Sequence, residues 1–250
     1  MSFKGRRAIV TGAGSGIGQA VALHLLREGA RVTGVDVNDR GLDPVRDAGG
    51  EAMVVDLADL AQRQTVIESA RADPPSFLVN AAAILQVIPI GDVSPDDFRR
   101  QFRVNVEAVW FLCRDVGAVM AEGGAIVNFS SPSARWAYTL ETAVYSATKT
   151  AIQAVTRSFA VHLASRGIRV NAISPGITDT PMQEKVLREV SVLRGLSYEE
   201  LSVSRTNLVP LRRSAPPAEI AGVVVMLLSD PASYITGQTI YVDGGYIMSA

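Results

Sequence analysis

Ala8-Ile9-Val10-Thr11-Gly12-Ala13-Gly14-Ser15-Gly16-Ile17-Gly18 is the most informative stretch of the chain. Its first four residues form a compact apolar run, which the glycine-rich segment ends. From Ile17 onward, apolar residues at Ile17, Ala20, Val21 and Leu25 recur at helical spacing with polar residues between them. Strand, glycine turn and helix in this order bring backbone N–H groups to a helix N-terminus, where a pyrophosphate can be held. The spacing is G-x-x-x-G-x-G. In the pattern G-x-G-x-x-G, started from Gly12, the third glycine would fall on Ile17. Outside this context the same residues could form a flexible loop.

The rhythm continues along the chain. Arg31–Asp36 reads as a second strand, 52–56 as a third, Phe77–Asn80 as a fourth, Ala125–Phe129 as a fifth, 168–173 as a sixth and 238–242 as a seventh. Helical patterns lie between them: a weak one over 39–48 that Pro44 interrupts, then 58–71, 98–120, 143–166 and Pro217–Leu228. Strands joined by helices of this length make right-handed crossovers, hence a parallel sheet with helices on both faces. The near-continuous apolar strands fit a sheet buried on both sides. The expectation is one α/β domain over residues 1–250. Only 182–211 breaks the pattern, too polar for core and too long for a simple turn, and it is expected to be an irregular lid.

With 250 residues, 48% apolar and 20% charged, the chain excludes disorder and fibrous architectures. A net charge of −1 gives no electrostatic case for nucleic acid or an anionic membrane. No run of about 18 apolar residues is present, and residues 1–7 are short and polar and lead straight into the first strand, so no signal peptide is expected. The lone Cys113 fits a reducing compartment, so a cytoplasmic protein is expected. His24 and His162 sit inside helical patterns, far from other ligand types, so no metal site or Ser-His-Asp triad is expected.

Asp36 closes the second strand, 18 residues past Gly18, where an acidic residue can accept both hydroxyls of an adenosine ribose. A 2′-phosphate there would meet repulsion of roughly 2 kcal/mol even at water's dielectric, which favours NAD over NADP. An acidic residue at a strand end can also merely cap a helix. Of the 24 basic residues only Lys4, Lys149 and Lys185 are lysines. Lys149 follows Tyr145 by four on a helical pattern, so the two share one face. An ammonium beside a phenol lowers the phenol's pKa, the arrangement an acid/base tyrosine needs, although a plain surface pair has the same spacing.

Taken together, these motifs resemble the short-chain dehydrogenase/reductase family, in its Tyr-x-x-x-Lys branch. The matching residues are Thr11 to Gly18, Asp56-Leu57, Asn80, Asn105, Ser130-Ser131, Tyr145 to Lys149, Pro175-Gly176 through Thr180, Asp230 to Gln238, and Val242 to Gly245. The resemblance implies a Rossmann-type doubly wound parallel sheet of seven strands. It also implies a catalytic set of Asn105, Ser131, Tyr145 and Lys149. Tyr145 would exchange the substrate hydroxyl proton as hydride passes to NAD, Ser131 would hydrogen-bond the substrate oxygen, and Lys149 would hold the nicotinamide ribose and depress the tyrosine pKa. Asn105 would support a water linking Lys149 to solvent. Gly12, Ser15, Gly16, Ile17 and Gly18 would cradle the pyrophosphate. Asp36, Asp56, Leu57, Asn80, Ala82, Pro175, Gly176, Ile177 and Thr180 would complete the cofactor site, Asp56 binding the adenine and Ile177 and Thr180 the carboxamide.

Three positions depart from the family pattern. Asn80-Ala81-Ala82-Ala83 replaces Asn-Asn-Ala-Gly, so the turn must tolerate Cβ atoms. Ser131 precedes Tyr145 by 14 residues where 13 are expected. Arginine stands in Pro210-Leu211-Arg212-Arg213 where the family often has glycine. The substrate reading is a small polar secondary alcohol or ketone such as a polyol, sugar or cyclic diol, with Arg135, Trp136 and Tyr138 as candidate contacts and the 182–211 lid ordering over it. A 3-oxoacyl carrier-protein reductase and a non-catalytic dinucleotide sensor are the alternatives. The apolar excess on helices 98–120 and 143–166 points to a homotetramer of 222 symmetry.

Overall fold

A computed structural model describes residues 3–136 and 139–248. Seven parallel strands lie in the order β3-β2-β1-β4-β5-β6-β7. They are β1 (Arg7–Thr11), β2 (Arg31–Asp36), β3 (Glu51–Val54), β4 (Phe77–Asn80), β5 (Ala125–Phe129), β6 (Arg169–Pro175) and β7 (Thr239–Val242). Alternation within each strand divides the core into two layers. Ala8, Val10, Phe77, Val79, Ala125 and Val127 face helices α1 (Gly16–Arg27) and α9 (Pro217–Leu228). Ile9, Leu78 and Ile126 face α3 (Leu60–Ala72), α5 (Ala108–Val119) and α6 (Ala143–Leu163). The order reverses between β1 and β4, and ligand crevices form at such a switch, outside the carboxyl ends of the strands.

Three local expectations need correction. Pro44 does not interrupt a helix: it occupies the first turn of the short α2 (Asp43–Asp47), where a missing N–H costs nothing. The 98–120 pattern is not one regular helix. α4 (Pro95–Phe102) starts at a Ser94–Asp97 capping box and passes through a π-helical segment, Arg103–Glu107, before α5.

The 182–211 segment is not irregular. It folds as α7 (Pro181–Arg194), stopped by the left-handed Gly195, and α8 (Tyr198–Asn207), started by a Ser197–Glu200 capping box. Val186, Leu187, Val190 and Leu201 form a small apolar cluster that packs on Leu85 and Val87. Its polarity is that of two surface helices with one buried stripe. The chain returns from the lid through Arg212, which at φ +56° is the single non-glycine in left-handed backbone among the described residues. A glycine would take this backbone without cost, and Arg212 holds it while donating to the Asn207 carbonyl.

At the opposite rim, arginines cap helix C-termini. Arg7 donates to the carbonyls of Ser69 and Asp73 at the end of α3. Arg166 donates to those of Gly117, Ala118 and Met120 at the end of α5, and Arg169 to those of Leu227 and Ser229 at the end of α9. Each fork bridges two or more carbonyls at a helix end and places a cation at the negative end of the dipole. Arg166→Met should therefore cost about 2–3 kcal/mol, read as a lower urea midpoint, and Arg166→Lys should recover less than half of it because an ammonium has no fork. An unchanged midpoint in Arg166→Met would remove the capping role.

Candidate active site

The carboxyl ends of the strands open into a cleft of about 560 Å³. Gly12, Ser15, Gly16, Ile17 and Gly18 form its floor between β1 and α1. Gly18 lies so close to β1 that a Cβ on it would fall 2.1 Å from the Gly12 carbonyl oxygen, which explains the third glycine of the motif. Ser15 is the N-cap of α1, yet its side chain makes no capping hydrogen bond. The first N–H groups of α1 are thus left for an anion at the cleft floor, a donor set that suits a pyrophosphate. At one end, Asp36 accepts from the backbone N–H of Gly14 and of Asn38, both at 2.9 Å, so its carboxylate is fixed at the cleft wall. Asp56 and Leu57 line the same end. Pro175, Gly176, Ile177 and Thr180 close the wall after β6.

Ser131, Tyr145 and Lys149 come together at the other end. Lys149 is buried and donates to the Phe129 carbonyl at 2.8 Å, its Nζ 5.4 Å from the centre of the Tyr145 ring. The extra residue between Ser131 and Tyr145 does not separate them. A 3-10 turn over Pro132–Ala134 follows Ser131 directly, and the Ser131 hydroxyl lies near enough to the Tyr145 phenol to favour its ionised form. The Ala81-Ala82-Ala83 turn carries its Cβ atoms without strain, since none of the three has positive φ. Ala82 N–H donates to Thr11 Oγ1 at 3.2 Å, and the turn lines the cleft.

A family model described as enoyl-(acyl carrier protein) reductase matches residues 12–247. D-erythrulose reductase of Gallus gallus is 36% identical over 254 residues, covering 100% of this chain and 98% of that protein. The 2,3-dihydro-2,3-dihydroxybenzoate dehydrogenase of Escherichia coli is 36% identical over 258 residues, with 100% of both chains covered. A structure described as an NAD(P)-dependent gluconate 5-dehydrogenase from Beutenbergia cavernae, with NADP bound at low occupancy, superposes with a TM-score of 0.88. It is 38% identical and covers 99% of this chain and 98% of that one. The chain belongs to the short-chain dehydrogenase/reductase family. It is an oxidoreductase acting on CH–OH groups with a nicotinamide dinucleotide.

Not every expected site residue of this short-chain dehydrogenase/reductase lines the cleft. Asn80 does not reach the cleft. Its Nδ2 donates to Asn128 Oδ1 at 2.8 Å, in a buried group with Thr156 and Cys113. Asn105 lies inside the π-helical segment, fully buried, and does not line the cleft either. It accepts from Ile84 N–H and donates to the Ile84 carbonyl, both at 2.9 Å, and reaches Thr148 Oγ1 at 3.1 Å. Its side chain thereby pins the loop after β4 to α6. Thr180 lines the cleft, but its hydroxyl also accepts from Gln183 N–H as the N-cap of α7. Arg135 is exposed and outside the cleft, Trp136 lines it and packs at a tilt against Tyr246, and Tyr138 lies outside the described residues. Arg100, Gln183, Arg205 and Tyr246 also line it. Sequence reasoning missed them because three of these sit on helices whose register against the cleft only the packing of α4, α7 and α8 sets. Tyr246 follows the last strand and had no motif to mark it.

The expected lowering of the Tyr145 pKa is also reversed. Burial pushes the phenol up to about 12, with Ser131 pulling weakly the other way, and burial pushes Lys149 down to about 7. Lys149 points at a carbonyl rather than at the phenol oxygen, so each group is held toward its neutral form. The unfolded chain carries an ordinary lysine near 10.4 and so binds more protons than the folded chain between about pH 7 and pH 10. Stability should rise with pH across that window. Above pH 10 the raised Tyr145 reverses the slope. The difference in Tm between the cofactor-free protein and its Lys149→Met variant should therefore shift in favour of the unmutated protein from pH 7 to pH 9.5. A pH-independent difference would show that Lys149 keeps an ordinary pKa.

Proposed function

We propose that the protein is an NAD-dependent dehydrogenase of small polyhydroxylated secondary alcohols, working in the cytoplasm. The juxtaposition of Ser131, Tyr145 and Lys149 at one end of a cleft whose other end carries Asp36 supports this reading most. Bound with its nicotinamide ring toward Tyr145, the dinucleotide would accept or return a hydride. The chain's own groups do the rest. The α1 N-terminus holds the pyrophosphate, and Asp36 accepts from the adenosine ribose hydroxyls. Ser131 donates to the substrate oxygen, and Tyr145 Oη takes the hydroxyl proton in oxidation and returns it in reduction. Lys149 contacts the nicotinamide ribose, and its cation, restored there, lowers the barrier to forming the phenolate. Asn105 fixes the π-helical segment against α6 through Thr148, so that a water linking Lys149 to solvent could be held there. The α7–α8 pair closes over the substrate as a lid. α5 and α6 present exposed apolar residues, among them Trp110 and Val161, to a second copy, which supports the 222 homotetramer.

Two relatives act, by name, on erythrulose and on dihydrodihydroxybenzoate, both small and polyoxygenated. They favour such substrates over the acyl chains in the family model's description. Cofactor choice is tested by fluorescence titration: NADH should bind at least tenfold more tightly than NADPH, and Asp36→Ser should narrow the gap. Equal affinities in the unmutated protein would overturn the NAD assignment. Tyr145→Phe should keep its NADH affinity while kcat falls by roughly 10²–10⁴. Turnover that survives this change would place the acid/base elsewhere. A complete absence of turnover across polyols, cyclic diols and acyl thioesters would favour a dinucleotide sensor.

A further inference from the structure

The α7–α8 hairpin stands on a stapled base. Thr178 bridges Ala215, with Asp179 N–H donating to the Ala215 carbonyl at 3.0 Å and Ala215 N–H to that of Ile177 at 2.9 Å. The first two turns of α7 supply Met182, Gln183 and Val186 to the cleft. The tip, where Gly195 ends α7, lies a further two turns along, about 12 Å beyond Val186. There Arg194 reaches out of the hairpin. Its Nε and one terminal nitrogen donate to the two carboxylate oxygens of Glu141, both at 2.9 Å, across 53 positions of sequence. By contrast, the α7 pairs of Arg188 with Glu184 and Lys185 with Glu189 lie within the helix and cannot fix its place on the protein.

Glu141 belongs to the 3-10 turn Leu140–Thr142, which runs directly into α6 four residues before Tyr145. Thr139 and Thr142, on either side of it, line the cleft. Its carbonyl accepts from Ile88 N–H at 2.8 Å, in the loop whose Leu85 and Val87 carry the apolar cluster of the hairpin. One residue thus holds the loop after β4 by its backbone and the end of α7 by its side chain. An exposed, single-contact ion pair contributes little. This pair is a two-bond fork whose carboxylate is only 17% exposed and whose guanidinium is 31% exposed. Arg194 also holds the Glu141 carboxyl below the usual carboxylate range, so both partners are charged at neutral pH. Resting on the lid reading above, we propose that Glu141 and Arg194 are positioning residues that clasp the lid to the start of the Tyr145 helix and set how firmly the cleft closes on the alcohol.

The test measures turnover at saturating NAD of the fastest-used among galactitol, D-threitol and cyclohexane-1,2-diol, all neutral. Glu141→Gln and Arg194→Met should each raise the KM for that alcohol at least fivefold. Neither residue lines the cleft, so kcat and the KM for NAD should stay within twofold. Arg194→Lys, which can keep one of the two bonds, should fall between. The double variant should be no worse than either single change, since each alone breaks the fork. Trypsin should cut Glu141→Gln within 182–211 at least fivefold faster than the unmutated protein. A lower Tm with unchanged KM and unchanged cleavage would overturn the clasp and leave a purely structural contact. Effects that add in the double variant would overturn it too, as would a KM for NAD that rises in step with that for the alcohol. Faster cleavage of Glu141→Gln, in a protein that turns over no alcohol even unmutated, would sustain the clasp and overturn the dehydrogenase reading. Should Glu141→Gln or Arg194→Met fail to fold, Arg194→Lys decides by the same measurements.

Discussion

Register between parallel strands is the constraint on which the site depends. Thr11 pairs with Val35 and Asn80, and Asn80 with Asn128, so the four central strands end within a residue or two of one level. Gly12, Asp36, Ala81 and Ser130 are the residues at or just beyond those ends, and they share a cleft although more than a hundred positions separate the first from the last. A slip of one residue in any pair would turn that strand's apolar side chains from one helical layer to the other, because the side-chain period is two. The two-layer core thus fixes the register, and the register brings the chemistry together. The contact of Gly18 with Gly12 then sets the start of α1 at the same level, aiming its uncapped N–H groups at the cleft.

Beneath that surface a second set of polar groups holds the catalytic loops. Asn80, Asn128 and Thr156 hydrogen-bond in the sheet–helix interface, and Asn105 grips both backbone groups of Ile84. Buried amides are costly unless satisfied and rigid when they are. Asn105, satisfied by both backbone groups of Ile84 and by Thr148, ties the loop that follows Ala81-Ala82-Ala83 to α6. The π-helical segment fits this account. It widens the helix where Asn105 must project toward the loop, a use of such bulges common near functional sites.

What could be read in the sequence was whatever a single strand or helix decides by itself. The seven strands, the glycine turn, Asp36 at a strand end and the Tyr145–Lys149 pair are of this kind. The direction of Asn80 belonged to the same class and was readable in principle: it sits two residues after Leu78, so it must face the layer of α5 and α6 rather than the cleft. The lid was not readable. Its two helices carry only a narrow apolar stripe, and what makes them helices in place is the packing of Val186, Leu187, Val190 and Leu201 on Leu85 and Val87, residues about a hundred positions away. Arg205 and Gln183 line the cleft only because that packing turns them there.

The choice between arginine and lysine follows the same division between scaffold and site. Twenty-one of the 24 basic residues are arginines, and those at the helix C-termini each bind two or more carbonyls at once, which needs a planar fork and a charge that never leaves. Position 149 asks for the opposite. A fully buried group beside a phenol costs less when it can shed its proton, and Lys149, pushed down to about 7 by burial, can do so where a guanidinium would not. Arg205, in the wall of the same cleft, keeps its charge whatever is bound. The cleft therefore holds one cation that burial can switch and one that it cannot.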